Sequence, residues 1–287
     1  MTTKELLKKV RKIELKAKGL SNQVFSGAYK TAFKGKGMSF SEVRAYQYGD
    51  DVRNIDWNVT ARTNEPHVKV FEEERELTFM LLIDVSGSAY FGTTQQTKNE
   101  IAVEIAATLA FSAVINNDKV GAIFFSDKVE KFIPPKKGKP HIMRILQQLI
   151  TIEPKFVESD LTPALKYLTG IIRKKCTAFV LSDFMMQDYD NALKLTASRH
   201  DTIGIHIYDP LEVELPNVGL LPVIDVETGQ TNWIDTSDQV TRLRYHESYT
   251  KNKDYFRQTF LRGGADVLSL ATNEPYLIPL IKFFKQR

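Results

Sequence analysis

The sequence predicts an α/β protein with a mainly parallel sheet, one antiparallel edge, helices on both faces and a small β-rich subdomain. Three observations point there. Residues 77–83 (LTFMLLI) form an unbroken apolar run, bounded by charge before and by small polar residues after, as in a central strand buried on both faces. Similar runs alternate with helical patterns as far as Tyr208. Between 209 and 236, prolines and turn residues instead separate short strand-like stretches.

The chain of 287 residues has room for one large domain or two modest ones. A hydrophobic fraction of 43% is ordinary for a soluble protein. Cys176 is the single cysteine, which excludes an intramolecular disulfide and fits a cytoplasmic location. Residues 1–20 lack an apolar signal core, and no uncharged run reaches membrane-spanning length, so no transmembrane segment is expected. The five histidines are scattered without ligand spacing, which argues against zinc. Net charge is +4, unevenly spread: residues 1–36 hold ten Lys/Arg against Glu5 and Glu14, or +8, which leaves −4 for the rest. Such a segment permits contact with an acidic surface, RNA or a membrane face. A solvated lysine-rich helix is the plainer reading. No aromatics interleave with its lysines, so no specific nucleic-acid partner is expected.

Taken in order, Thr2 and Glu5 make a capping box, Leu6, Leu7, Val10, Ile13 and Ala17 repeat at helical spacing, and Gly19 stops the helix. Residues 1–36 thus read as a basic helix and linker. Gly35-Lys36-Gly37 lacks the spacing of a phosphate-binding loop. In residues 37–76, Arg44, Arg53 and Arg62 alternate with Glu42, Asp50, Asp51 and Asp56. That predicts a salt-bridged knot around Trp57 and Tyr46, with a partner surface as the alternative. Helix is expected over 97–117, a second core strand over 119–126 and its alternating edge partner over 128–133, ended by Pro134-Pro135. A helix follows over 141–150 with Ile142, Ile145, Leu146 and Leu149 inward. Residues 176–182 are the next buried strand, followed by helix over 189–200 and strand over 202–208. Glu227-Thr228-Gly229 reads as a hairpin turn. Helix is expected from 236 to 261, broken by Gly263-Gly264, then strand over 266–270 and a closing helix over 275–285. The expected organisation is 1–36 as N-terminal helix and linker, 37–76 with 209–236 as a small subdomain, and 77–208 with 237–287 as the α/β domain.

In an open α/β sheet, ligands sit beyond the carboxyl ends of the strands. The strand of 77–83 ends there in Asp84, Ser86 and Ser88, whose alternate spacing aims them into one loop. One carboxylate and two hydroxyls suit a hard divalent cation such as magnesium. The same residues would also serve as a helix cap and a tight turn.

The Asp84-x-Ser86-x-Ser88 pattern resembles the metal-ion-dependent adhesion site of von Willebrand factor A domains. A longer match carries more weight. Phe40, Glu42, Arg44, Tyr46, Gly49, Asp50, Asp51, Arg53, Ile55, Asp56, Trp57, Ala61, Arg62 and the acidic stretch from Glu72 to Arg75 resemble the signature of the bacterial domain-of-unknown-function 58 family. The resemblance runs on to the C-terminus. It implies a von Willebrand A-like, Rossmann-like fold and a magnesium or manganese site completed by Ser159 and Asp183. Counting back from Ala164-Leu165 places the pattern's loop threonine at Ser159. Thr162 competes for the role, but reads better as the N-cap of a helix with Pro163 at its first position.

The resemblance further implies a non-enzymatic module, an adaptor or assembly factor working with a MoxR-type AAA+ ATPase. Its partner would offer an Asp or Glu carboxylate to the metal. Two alternatives stand beside it. A magnesium-dependent phosphohydrolase would use Asp84 as nucleophile, yet Ser86 stands where the second acid of that chemistry belongs, and no G-x-S-x-G elbow surrounds the serines. An RNA or acidic-surface binder would use the basic N-terminus.

Overall fold

In the computed structural model, residues 39–72, 76–93, 96–152, 158–224 and 231–287 are described. The helix expected within 1–36 and the turn at 227–229 lie outside them. The described residues fall into two compact units divided after Leu77.

The first unit pairs β1 (Ser39–Ala45) antiparallel with β2 (His67–Glu72), and α1 (Trp57–Thr63) lies between them in sequence. Asp56 caps α1 by accepting from Asn58 N and Val59 N. Arg44 grips Asp50 through two bonds of 2.8 Å, and Arg53 pairs with Asp51. These pairs join residues six and two positions apart. Trp57 is 70% exposed, so the charges do not form a knot packed around it as expected. They are local ties that fix the loop between β1 and α1.

The second unit is organised by a six-stranded sheet in the order β10-β7-β6-β3-β4-β5. Its strands are β3 (Thr78–Asp84), β4 (Lys119–Phe125), β5 (Val129–Lys136), β6 (Thr177–Ser182), β7 (Asp201–Tyr208) and β10 (Asp266–Ala271). All neighbours are parallel except β4 and β5. From β3 the chain first builds outward through β4 and β5, then returns to the other side through β6, β7 and β10. The order therefore reverses between β3 and β6, which is where an open α/β sheet leaves a crevice at its carboxyl edge. β3 is buried because Phe79 to Ile83 carry no polar side chain and hydrogen-bond to a strand on each side.

Helices cover both faces. Met80, Leu82, Ala178 and Val180 pack in one core with α4 (Leu161–Ile171), α5 (Asp190–Arg199) and α7 (Gln239–Gly263). The alternate residues face the other way: Phe79 stacks on Phe179, which meets Phe284 of α8 (Leu277–Gln286). α2 (Lys98–Ile115) opens with a capping box of Thr97 and Glu100, and α3 (Lys139–Thr151) buries Ile142, Ile145, Leu146 and Leu149 as expected. Gly264, at φ 79°, ends α7 in the left-handed region that glycine tolerates.

Three expectations need correction. β5 does not stop at Pro134 but continues to Lys136, because it is an edge strand whose register slips between Val120 and Ala122 opposite the prolines. The N-cap of α4 is Asp160, whose side chain accepts from Thr162 N, so Thr162 lies inside the first turn. Residues 209–224 and 231–236, including the antiparallel pair β8 (Leu220–Ile224) and β9 (Thr231–Asp235), group with the sheet unit and not with 39–77. Thr236 ties this pair through its bonds to Gly219 O and Val218 N.

Candidate metal centre at the carboxyl edge of the sheet

The crevice between β3 and β6 gathers all five residues singled out from the sequence. Asp84 ends β3 and is buried. Its Oδ1 accepts from Ser86 N at 2.9 Å. Its Oδ2 accepts from Ser159 Oγ and from Ser182 Oγ, each at 2.7 Å. Ser86 and Ser88 face each other with their hydroxyl oxygens 3.2 Å apart, and Gly87–Tyr90 form a short 3₁₀ turn. Asp183 follows β6, accepts from Met185 N through Oδ1 and is bonded by the Ser88 hydroxyl.

The backbone after Asp183 is unusual. Phe184 has φ 49°, a left-handed value that a bulky side chain rarely adopts. Its ring is buried and stacked 4.1 Å from Phe256, and its N–H donates to Ser182 Oγ at 2.9 Å. Core packing therefore holds the turn that presents Asp183.

Three further residues complete the cluster and were not singled out from the sequence. Lys98, at the first position of α2, is 3% exposed. Its Nζ lies 2.6 Å from Asp183 Oδ2 and also contacts Glu212 Oε1. Glu212 belongs to α6 (Pro210–Val213) and closes a capping box with Asp209. Ser182 is the third donor to Asp84. The sequence carried only a faint signal for Lys98: a cation in the first turn of a helix opposes the helix dipole, but the need for partner acids comes from its burial.

Electrostatics divides the two aspartates. Burial, then the charge of Asp183, push the Asp84 carboxyl above the usual carboxylate range, because its own donors are neutral. Burial would raise Asp183 too, but the Lys98 ammonium holds it below that range. Burial opposes the charge on Lys98, yet Asp183 and Glu212 together keep its pKa above the ordinary lysine value. Burial raises Glu212 against the pull of Lys98. His206, one strand away on β7, sits among Tyr208, Phe256 and Phe184, and burial pushes it down to about 4.

The donor chemistry fits a hard divalent cation. The cluster offers two aspartates and adjacent serine hydroxyls, all oxygen. Three carboxylates, Asp84, Asp183 and Glu212, stand against one ammonium, a deficit that a doubly charged ion would cancel. Among the described residues, no three His, Cys, Asp or Glu side chains converge as a ligand set, so hydroxyls would have to contribute. Ser86, Ser88, Ser159, Asp84 and Asp183 are the residues that could hold such an ion.

Fold and site together define an α/β protein with an acid-and-hydroxyl cluster at the switch point of its sheet. Residues 42–255 match the DUF58 family, described as a protein of unknown function, and the chain belongs to that family. An uncharacterized protein of Mycobacterium tuberculosis is 32% identical over 281 residues, which cover 97% of this chain and 88% of that protein. The uncharacterized protein YeaD of Bacillus subtilis is 28% identical over 109 residues, 38% of this chain and 25% of its own length. Among solved structures, an aerotolerance-related membrane protein from Bacteroides fragilis aligns with 74% of this chain and 100% of its own at TM-score 0.49 and 14% identity. No helix among the described residues is long and apolar enough to cross a membrane.

Proposed function

We propose that this chain is a non-enzymatic, metal-dependent protein-binding module of the von Willebrand A-like kind. It would act as an adaptor or assembly factor beside a MoxR-type AAA+ ATPase. One observation carries the reading. The Ser86 amide, the Ser159 hydroxyl and the Ser182 hydroxyl, from three segments distant or adjacent in sequence, meet around a buried carboxylate, Asp84, that has neutral donors alone to balance it.

Magnesium or manganese at this place would supply an electrophile for an Asp or Glu carboxylate of a partner. The chain's own residues divide the work. Ser86 and Ser88 donate their hydroxyl protons within the cluster, to each other and to Asp84 and Asp183, which would leave oxygen lone pairs for an ion. Asp84 has both oxygens engaged by Ser86 N, Ser159 and Ser182, which suits a charge that acts through bound water and orients the hydroxyls. Asp183 is committed to Lys98 on one oxygen and supports the outer shell in the same way. Tyr90 and Phe91 follow Ser88 and Met185 follows Asp183, and all three are exposed. Such apolar groups around a charged contact exclude water from it, as at the rim of a binding hot spot.

The test is a pull-down of native partners by the full chain in magnesium and in chelator, with magnesium calorimetry on wild type and Asp84→Asn. Loss of partner in chelator and loss of metal binding in the variant are expected. Retention of partner in chelator would overturn the reading.

A further inference from the structure

Lys98 has no role in the binding scheme above, yet it is the most deeply buried cation described near the cluster. A buried charge persists only when it is paired. Here one ammonium is shared by two acids from different elements, Asp183 after β6 and Glu212 of α6, which are 85 and 114 residues away in sequence. The Phe91 ring, 5.9 Å from Nζ, closes one side. Lys98 and Asp84 also border one small cavity with Ala102, Leu181 and Asp183.

We propose that Lys98 is a built-in rival of the metal, whose charge sets how tightly a divalent cation binds between Asp84 and Asp183. This deepens the metal-site reading and rests on it. With the ammonium in place, Asp183 Oδ2 is already taken and the three acids carry a deficit of two charges. Without it, Asp183 is released and the deficit grows to three, so a cation is held more tightly. If instead Glu212 loses its charge, the deficit shrinks to one and the ammonium is left wholly to Asp183, so a cation is held less tightly. The two halves of one ion pair thus act in opposite directions. A merely structural pair would weaken the protein when either half is removed and would move metal affinity the same way in both variants.

Magnesium and manganese are titrated by calorimetry into the full chain as wild type, Lys98→Met, Glu212→Gln and the double variant. Lys98→Met is expected to bind at least about tenfold more tightly than wild type and Glu212→Gln about tenfold more weakly, each step being about 1.4 kcal/mol. The double variant restores the deficit of two, so its affinity should fall between the single variants. It also stands in for Lys98→Met should that protein not fold, since it leaves Asp183 alone without its ammonium where Lys98→Met strands both Asp183 and Glu212. Melting in chelator and in excess magnesium gives a second readout: the metal should stabilise Lys98→Met more than wild type. Equal shifts of the same sign in both single variants would overturn the proposal while leaving the metal site standing. Metal binding by Lys98→Met but not by wild type would support it, with Lys98 the winning cation. No metal binding by any variant would overturn the proposal and the metal-site reading together.

Discussion

Asp84 allows charge to be separated from hydrogen bonding in one experiment. Replacement by alanine strips the acceptor from Ser86 N, Ser159 Oγ and Ser182 Oγ, all of which point into a buried site. A bond to a charged acceptor contributes about 1.5–3 kcal/mol, and a buried donor left alone costs about 1–3 kcal/mol. Part of that is returned, because burial and Asp183 already oppose the Asp84 charge. Ser182 also keeps the Phe184 N–H as a partner. The net cost for Asp84→Ala is about 2–4 kcal/mol. Asp84→Asn behaves differently. Its carbonyl still accepts from Ser86 N, and its NH₂ can donate to the two hydroxyls, which rotate to accept. In chelator it should stay within about 1 kcal/mol of wild type while losing magnesium binding at least about tenfold, since the charge is gone and the geometry kept. Urea unfolding in chelator, followed by far-ultraviolet circular dichroism, measures the first quantity and calorimetry the second. Asp84→Ala as stable as wild type would mean that these donors do not depend on Asp84. Asp84→Asn binding magnesium like wild type would mean that its charge does not hold the ion.

Phe184→Ala should cost about 3–5 kcal/mol, as expected for a buried aromatic, and weaken metal binding too, because the stacked ring holds the turn that presents Asp183; a variant with normal metal affinity would detach ring from site. Asp160→Ala should lose about 1 kcal/mol of helix cap and Thr162→Ala clearly less, reversing the order that Pro163 suggests, and chemical unfolding of the pair decides it. In the first unit, the side-chain bond from Arg53 holds the Asp51 carboxyl down at about 2, against an ordinary 3.8. The stability this pair contributes is therefore present above pH 3.8 and lost as pH falls toward about 2. Arg53→Ala should return Asp51 toward its ordinary value in a carboxyl-carbon NMR titration, and an unchanged midpoint would refute the contact.

What was legible followed physical range. The strands of the sheet were readable because an apolar run such as Phe79–Ile83 fits little else than a strand with neighbours on both sides. Asp84, Ser86 and Ser88 were readable because a strand end fixes where three nearby side chains emerge. Ser159 and Asp183 lie on other loops, and no local pattern joins them to Asp84; only the family resemblance brought them in. Where two local rules competed, the wrong one was easily chosen. Ser159, Asp160 and Thr162 are all cap formers, and Pro163 is tolerated throughout a first turn, so composition alone could not place the cap. Pro134-Pro135 would end an inner strand, but an outer strand needs hydrogen bonds on one side only, which sequence does not disclose. Trp57 lies in the stretch that resembles the family signature yet stays 70% exposed, so a large aromatic there does not mean a core.

The clearest gap concerns charge. Lys98 sits where a helix disfavours a cation, and the acids that reverse that preference come from the far end of β6 and from α6. In sequence it is one lysine among many. In the fold it touches the same aspartate that the candidate metal centre needs. A lysine and the proposed divalent ion would then draw on one carboxylate within a buried crevice, where both could not be fully served. Either the ion binds weakly and keeps its appetite for a partner's carboxylate, or Lys98 must yield Asp183 when the ion arrives. Both outcomes leave Glu212 as the group that retains the ammonium. If Lys98 yields Asp183, the carboxylate resonances of Glu212 and Asp183 should shift in opposite directions on saturation with magnesium, and saturation with a shift of neither would refute that exchange.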